Sequence, residues 1–293
     1  TQANANADAD TIIFAASLAG RTISLIGGLT LTNQVTINGD TNKDGDADIS
    51  ISLGSARISN QYGNTAALAS LTITGSQSTA VYDNVAAIAN SGNLSLIYCD
   101  VRNNTALSSQ DATAAIVINS GTLSITQSSF SSNSSVGGAG DSAGETTNDG
   151  WNGASAACVL NTGTLSLAGT AFKGNSAIGG AGGTGGSYFY GSYTDVHGVY
   201  HPAFWVSGKG GNGGNAAGAV LNLGTVSGSF GLYGNTAVAG AAGLGLQPRD
   251  VERAALAHPR GDLRRHRAAQ CRRGLERHAR RIRQHDGFQP HQV

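Results

Sequence analysis

The sequence has no methionine, only 3 cysteines and 4 prolines, 12% charged residues and 6% aromatics. Each shortage removes a class of protein. Cys99, Cys158 and Cys271 are too few and too scattered for a disulfide framework or a cysteine-based zinc site, and the first two read as small buried side chains. No apolar run reaches the roughly 20 residues that a membrane-spanning helix needs. The chain opens at Thr1 without a charged n-region or an apolar h-region, so it reads as a fragment or a processed chain. The lack of a leader is then no argument for the cytosol. Low charge beside 43 glycines can signal disorder. Here, however, small polar residues alternate with Leu, Ile and Val in short runs, the pattern of many short strands joined by tight turns.

The formal net charge of zero averages two unlike segments. Up to Leu246 there are 6 basic against 13 acidic residues, a net of −7. Residues 247–293 hold 12 Arg and 5 acids, a net of +7, with no Ser, Thr, Asn or Lys. A frameshift out of a glycine-rich reading frame accounts for that break, because GGC runs read out of frame encode Ala and Arg. A disordered or polyanion-binding basic tail is the alternative. No nucleic-acid partner is expected for residues 1–246.

An internal repeat organises residues 86–238. Four segments align: 86–107, 114–136, 156–178 and 217–238. The first three carry corner asparagines 14 residues apart (Asn90 and Asn104, Asn119 and Asn133, Asn161 and Asn175), and the fourth carries Asn222 and Asn235, one residue closer. In one unit a strand, AAIVIN, ends at Asn119-Ser120-Gly121, where Asn and Gly suit a sharp corner. TLSIT then alternates Leu123 and Ile125 inward with Thr122, Ser124 and Thr126 outward. A third short strand carries Phe130 and ends in Asn. One unit cannot bury its apolar face alone, but stacked units can, and stacked Asn residues are placed to form amide ladders. The segments between units (108–113, 137–155 and 179–216) lengthen along the chain and leave from one corner, so they are expected to project from one edge. Their glycine clusters, such as GGAGGTGG, read as low-complexity loops. Upstream, LTLTNQVTING, ADISISLGSARISN and SLTITG look like earlier coils over residues 11–84. The expectation is an all-β, right-handed parallel β-helix of about seven coils over residues 1–246, with glycine-rich insertions.

FSSN (130–133) and FKGN (172–175) are similar to the FxxN motif of polymorphic outer-membrane proteins. AAIV (114–117) and AGAV (217–220) look like degenerate forms of their GGAI motif, while VRNN (101–104) and LYGN (232–235) depart at the aromatic position. Residues 2–40 resemble the segment that follows a CSLREA motif in bacterial secreted β-helix proteins. The resemblance implies export to the cell surface or outer membrane and an autotransporter-passenger-like β-helix.

Two stretches carry candidate chemistry. In DTNKDGDAD, Asp40, Asn42, Asp44 and Asp48 fall at positions 1, 3, 5 and 9 of a calcium loop, with Gly45 at the sharp turn and Asp46 offering its carbonyl. Position 12 is Ile51, so the bidentate carboxylate is missing, and the flanks read as strands. The alternative is a solvated acidic turn. The stretch 187–205 holds seven of the chain's 17 aromatics: Tyr188, Phe189, Tyr190, Tyr193, Tyr200, Phe204 and Trp205. A projecting aromatic loop suits a glycan or a host-surface protein, and the competing reading is a loop packed on itself. Asp195, His197 and His201 make at most a small metal cluster without a fourth ligand.

Catalysis leaves little trace. Asp100 aligns with Ser129 and Ala171, and Arg102 with Ser131 and Lys173, so no carboxylate row forms along the repeats. Outward Ser/Thr rows hint at ice binding, but Asn93 and Ile97 interrupt them, and ordinary wet strand faces explain them. The sequence thus favours a non-catalytic, secreted or surface-exposed adhesive β-helix. A carbohydrate-active β-helix that has lost its catalytic coils is the alternative.

Overall fold

The computed structural model describes residues 8–78, 85–109, 112–145 and 148–245. The expectations for the tail at 247–293 lie outside the described residues. Nearly every described element is a short β-strand, and none is an α-helix.

The unit predicted from Ala114 onward shows how the sequence makes a coil. Ala114–Asn119 pairs in parallel with Val85–Asn90 before it and Ala156–Asn161 after it. The chain turns at Ser120-Gly121 into Thr122–Thr126, where Leu123 and Ile125 are fully buried while Thr122 faces solvent. Gln127, at φ 48°, makes the next corner, and Ser129–Ser131 follows with Phe130 fully buried. Ser132, at φ 54°, makes a third corner before Ser134–Val136. The last strand is a fourth face that the sequence pattern hides, because only Ser135 of its three residues turns inward, and a buried serine breaks the apolar signature.

Among the described residues seven rungs stack on the face of Thr122–Thr126, while the fourth face is a strand in four of them. The face of Thr122–Thr126 runs from Asp10–Ile13 through Val35–Asn38, Thr65–Ala69 and Asn93–Ile97 to the first halves of Thr164–Lys173 and Thr225–Tyr233. All rung-to-rung pairs are parallel, so the architecture is the expected parallel β-helix. Aligned apolar residues fill the interior, for example Leu94, Leu123 and Leu165. Phe130 and Phe172 stack at 5.0 Å, and Phe230 meets Phe172 edge-on at 5.8 Å. The shorter spacing in the last unit has a local cause: the register skips Gly169, a corner residue at φ 62°, between Ala168 and Thr170.

Two asparagine ladders close the corners. In one, Asn60, Asn90, Asn119 and Asn161 each donate through Nδ2 to the Oδ1 of the next, ending on Asn222, at 2.6–2.8 Å. In the other, Asn104, Asn133 and Asn175 do the same, ending on Asn235, at 2.9–3.1 Å. Asn133 shows why the position tolerates burial. Its Nδ2 donates both to Asn175 Oδ1 and to the carbonyl of Val101, while its Oδ1 accepts from the Nδ2 and the backbone N–H of Asn104. All four hydrogen-bonding capacities of the amide are used.

The glycine clusters differ from the loops expected of them. Hydrogen bonds along them recur every third residue. Gly137, Gly140 and Ala143 donate to Ile178, Ala181 and Thr184, and Gly179, Gly182 and Gly185 donate to Val238, Ala241 and Leu244. Gly180, Gly183 and Gly186 donate to Ala154, Trp151 and Asn148 of an antiparallel neighbour. A period of three is that of polyproline II helices, whereas a strand would give two. The legs form two layers. Residues 137–143, 179–186 and 239–245 run outward from the solenoid, and 148–155 and 208–215 run back. In each G-G-x triplet one glycine faces the other layer, one faces the next leg, and the third residue (Ala181, Thr184, Asn212) points out. A Cβ on Gly180, Gly183, Gly211 or Gly214 would run into a backbone carbonyl of the adjacent leg, so close approach, as in collagen, is what requires glycine.

Gly183→Ala should therefore destabilise by about 1–3 kcal/mol through overpacking. Asn133→Ala should cost about 1–3 kcal/mol for each partner it strands. Thermal melts of the full chain check both, at about 2–4 °C per kcal/mol for a domain of this size. Ala181→Ser, on an outward position, should melt with the parent, and a Gly183→Ala protein that did the same would refute the close-packed legs.

Candidate functional site

The aromatic stretch is a hairpin at the far end of two glycine legs. Leg 179–186 leads into Ser187–Tyr190, which pairs antiparallel with Phe204–Ser207, and leg 208–215 returns to the solenoid. Eight residues of polyproline II at 3.1 Å each place the hairpin about 25 Å out along the legs. The sheet continues toward the tip as Tyr193–Thr194 against Tyr200–His201.

Strand alternation divides the rings. Tyr188, Tyr190 and Phe204 share one face, where Tyr190 stacks on Phe204 at 5.1 Å and Tyr188 meets Tyr190 edge-on at 4.9 Å. Phe189 and Trp205 pair across the other face at 4.9 Å. The rings do pack on one another, yet packing does not hide them. Tyr188, Phe189, Tyr190, Tyr193, Tyr200 and Phe204 are 43–65% exposed, and only Trp205 is half-buried.

The tip is built on Asp195. Its Oδ1 accepts the backbone N–H groups of His197 and Val199, and its Oδ2 meets His201 Nε2 at 3.1 Å. Tyr193 stacks on the same imidazole at 4.6 Å. The His201 contact, then the Val199 N–H, hold the Asp195 carboxyl below its ordinary range. Among the described residues no three His, Cys, Asp or Glu side chains converge as metal ligands. Asp195 and His201 therefore come together as a turn-fixing pair, not as a cluster with His197.

The acidic loop at 40–48 lies between Val35–Asn38 and Ile49–Gly54, strands as expected. Its donors turn inward in series. Asp40 Oδ1 accepts from the N–H groups of Asn42 and Lys43, and Asp40 Oδ2 from that of Gly45. Asn42 Oδ1 accepts from Asp44, and Asp44 Oδ1 from Asp46, at 3.0 and 2.9 Å. Gly45, at φ 89°, makes the sharp turn. The Asn42 amide bridges to Asp44 Oδ2 at 2.8 Å. Asp48 is tied to the Thr41 hydroxyl and N–H, which hold its carboxyl below the usual range. Asp40, Asn42, Asp44 and Asp48 are hard oxygen donors of the kind calcium takes, but here they bond the loop's own N–H and hydroxyl groups and do not converge as a ligand set. Ile51 sits in the core, 4% exposed, so no ligand comes from that position. Both lowered carboxyls stabilise their loops above the unfolded value of about 3.9, and that contribution is lost as pH falls through the lowered folded value.

Asp100 is bridged to Arg102 at 3.0 Å and accepts a hydrogen bond from Ser129. Its neighbours in register are Thr72 and Ser129, so the carboxylate stands singly on its face. What sequence reasoning missed was the support beneath the hairpin, though a glycine every third residue in 179–187 was a readable signal. No known family, curated protein or solved structure matches this chain.

Cys99 and Cys158 are both buried. Burial pushes the Cys99 thiol up to about 11 and raises that of Cys158 as well. Thiolate is the reactive form, so at pH 8 both should resist iodoacetamide in the native protein and label in urea. Peptide mass spectrometry reads each site separately, and native labelling of either would contradict the packed interior.

Proposed function

We propose that this chain is a secreted or surface-exposed adhesive β-helix that binds a glycan or a host-surface protein through the hairpin at 187–207 without chemical turnover. One observation carries the reading: six aromatic rings stay 43–65% exposed on a hairpin held away from the solenoid by hydrogen-bonded glycine legs. Soluble proteins seldom expose large apolar clusters except at interaction sites, and aromatic rings are efficient anchors for partners. The likeness of FSSN and FKGN to polymorphic outer-membrane repeats supports the same surface location. Calcium, taken by Asp40, Asn42, Asp44 and Asp48 with the Asp46 carbonyl, would stiffen the loop between the second and third faces.

Binding of the full chain to a glycan array and to cultured cells tests the proposal. Replacing Tyr188 alone by Ser, which keeps the Tyr190–Phe204 and Phe189–Trp205 pairs, should reduce binding about tenfold. Unaltered binding would remove the hairpin from the reading. Release of unsaturated products from polyuronates would favour a carbohydrate-active enzyme instead. Millimolar calcium should raise the melting temperature, and Asp44→Asn should abolish the rise. An absence of both a shift and a calorimetric heat would leave the loop a solvated turn.

A further inference from the structure

The solenoid carries an unusual corner between its third and fourth rungs. Asn60 pairs with Asn90 and Thr65 with Asn93, so the chain spans that corner with Gln61-Tyr62-Gly63-Asn64 in one rung and with Ser91-Gly92 in the next. The longer crossing lifts Tyr62 clear of the surface, where it is 92% exposed, with Gly63 at φ 76° completing the turn. The lifted loop is anchored beneath the ring. Asn64 is buried and donates to Asn60 Oδ1 at 2.8 Å, and its carbonyl takes the N–H of Asn93 at 2.7 Å.

A cleft opens on each side of Tyr62. One, of about 510 Å³, is lined by Arg57, Ser59, Gln61 and Ser91. The other, of about 310 Å³, is lined by Ser91, Gly92, Asn93, Gly121 and Thr122. Tyr62 and Ser91 line both, so the two are adjoining shallow depressions at the foot of the exposed ring. Both are open to solvent, so a ligand there would lie along the surface rather than be enclosed. The walls offer hydroxyls, side-chain amides and one guanidinium, with no carboxylate, and the smaller cleft carries no charged group at all.

We propose that this surface binds an uncharged oligosaccharide, with the Tyr62 ring packed on the C–H face of one pyranose and the Ser91, Asn93, Thr122 and Gln61 side chains bonding its hydroxyls. A sugar has both an apolar face and a dense rim of donors and acceptors, which matches an aromatic ring set among hydroxyls and amides. The site stands apart from the hairpin, so either can fail alone.

Calorimetric titration of the full chain with cellohexaose, maltohexaose, xylohexaose and hexagalacturonate tests it. At least one neutral probe should bind at millimolar affinity or better. Tyr62→Ala should weaken that binding about tenfold, while Tyr62→Phe keeps it. The hairpin substitution at Tyr188 should leave it unchanged. Because Tyr62 is exposed, an unaltered melting temperature separates loss of the site from loss of the fold. No binding by any neutral probe, equal binding by Tyr62→Ala, or tighter binding of hexagalacturonate than of every neutral probe would overturn the proposal.

Discussion

Each asparagine of the two ladders passes a hydrogen from its Nδ2 to the Oδ1 of the asparagine one rung further on, and this works only while every rung keeps the same register. The backbone ladder alone would tolerate a slip, because one pair of residues hydrogen-bonds much like the next. A slipped amide would leave its own groups and those of two neighbours unpaired in a dry interior, at about 1–3 kcal/mol each. The ladders therefore fix the phase of the solenoid. The stacked Phe130 and Phe172, the leucine columns and the outward hydroxyl rows follow from that phase.

The same phase builds the glycine layers. Neighbouring legs leave consecutive rungs, so they start one strand spacing apart, roughly 4.8 Å. Polyproline II helices can lie that close only where no Cβ intervenes. The exceptions obey the rule. Asp141 and Trp151 occupy the places held by Gly183 and Gly211 one rung on, and both are exposed at the layer edge. The rung before theirs is followed in the sequence by the six residues 108–113, which contain no glycine. Glycine here answers to the neighbouring leg and not to the residue's own backbone torsion, since of residues 137–145 only Gly144 has positive φ.

How much was legible follows from which interactions leave a local trace. The corner asparagines and the alternation of Leu123 and Ile125 are spaced along the chain as they are used in space, so the coil, its stacking and the ladders could be read directly. The fourth face could not, because its inward residue is Ser135, which bonds the carbonyl of Ala157 at 2.7 Å instead of presenting an apolar side chain. The G-G-x triplets were visible, but their meaning depends on a partner leg up to 60 residues away, and one leg alone looks like any flexible linker. The aromatic stretch could be picked out by content. Its division into Tyr188, Tyr190 and Phe204 on one face and Phe189 and Trp205 on the other needs the hairpin register.

That register bears on what the hairpin can do. An isolated two-stranded hairpin is marginal in water, and this one gains cross-strand ring contacts worth about 0.5–1.5 kcal/mol per pair beyond burial. Its base is closed by the bond from Gly208 to Gly186, the first step of the glycine ladder. The rings are thus partly spent on one another, and what remains for a partner is their outer surface. Such a surface is already ordered before contact, so binding there would lose little conformational entropy. Covering it entirely within the chain would need a further apolar layer, and the residues flanking it, Ser187, Ser207 and Lys209, do not supply one.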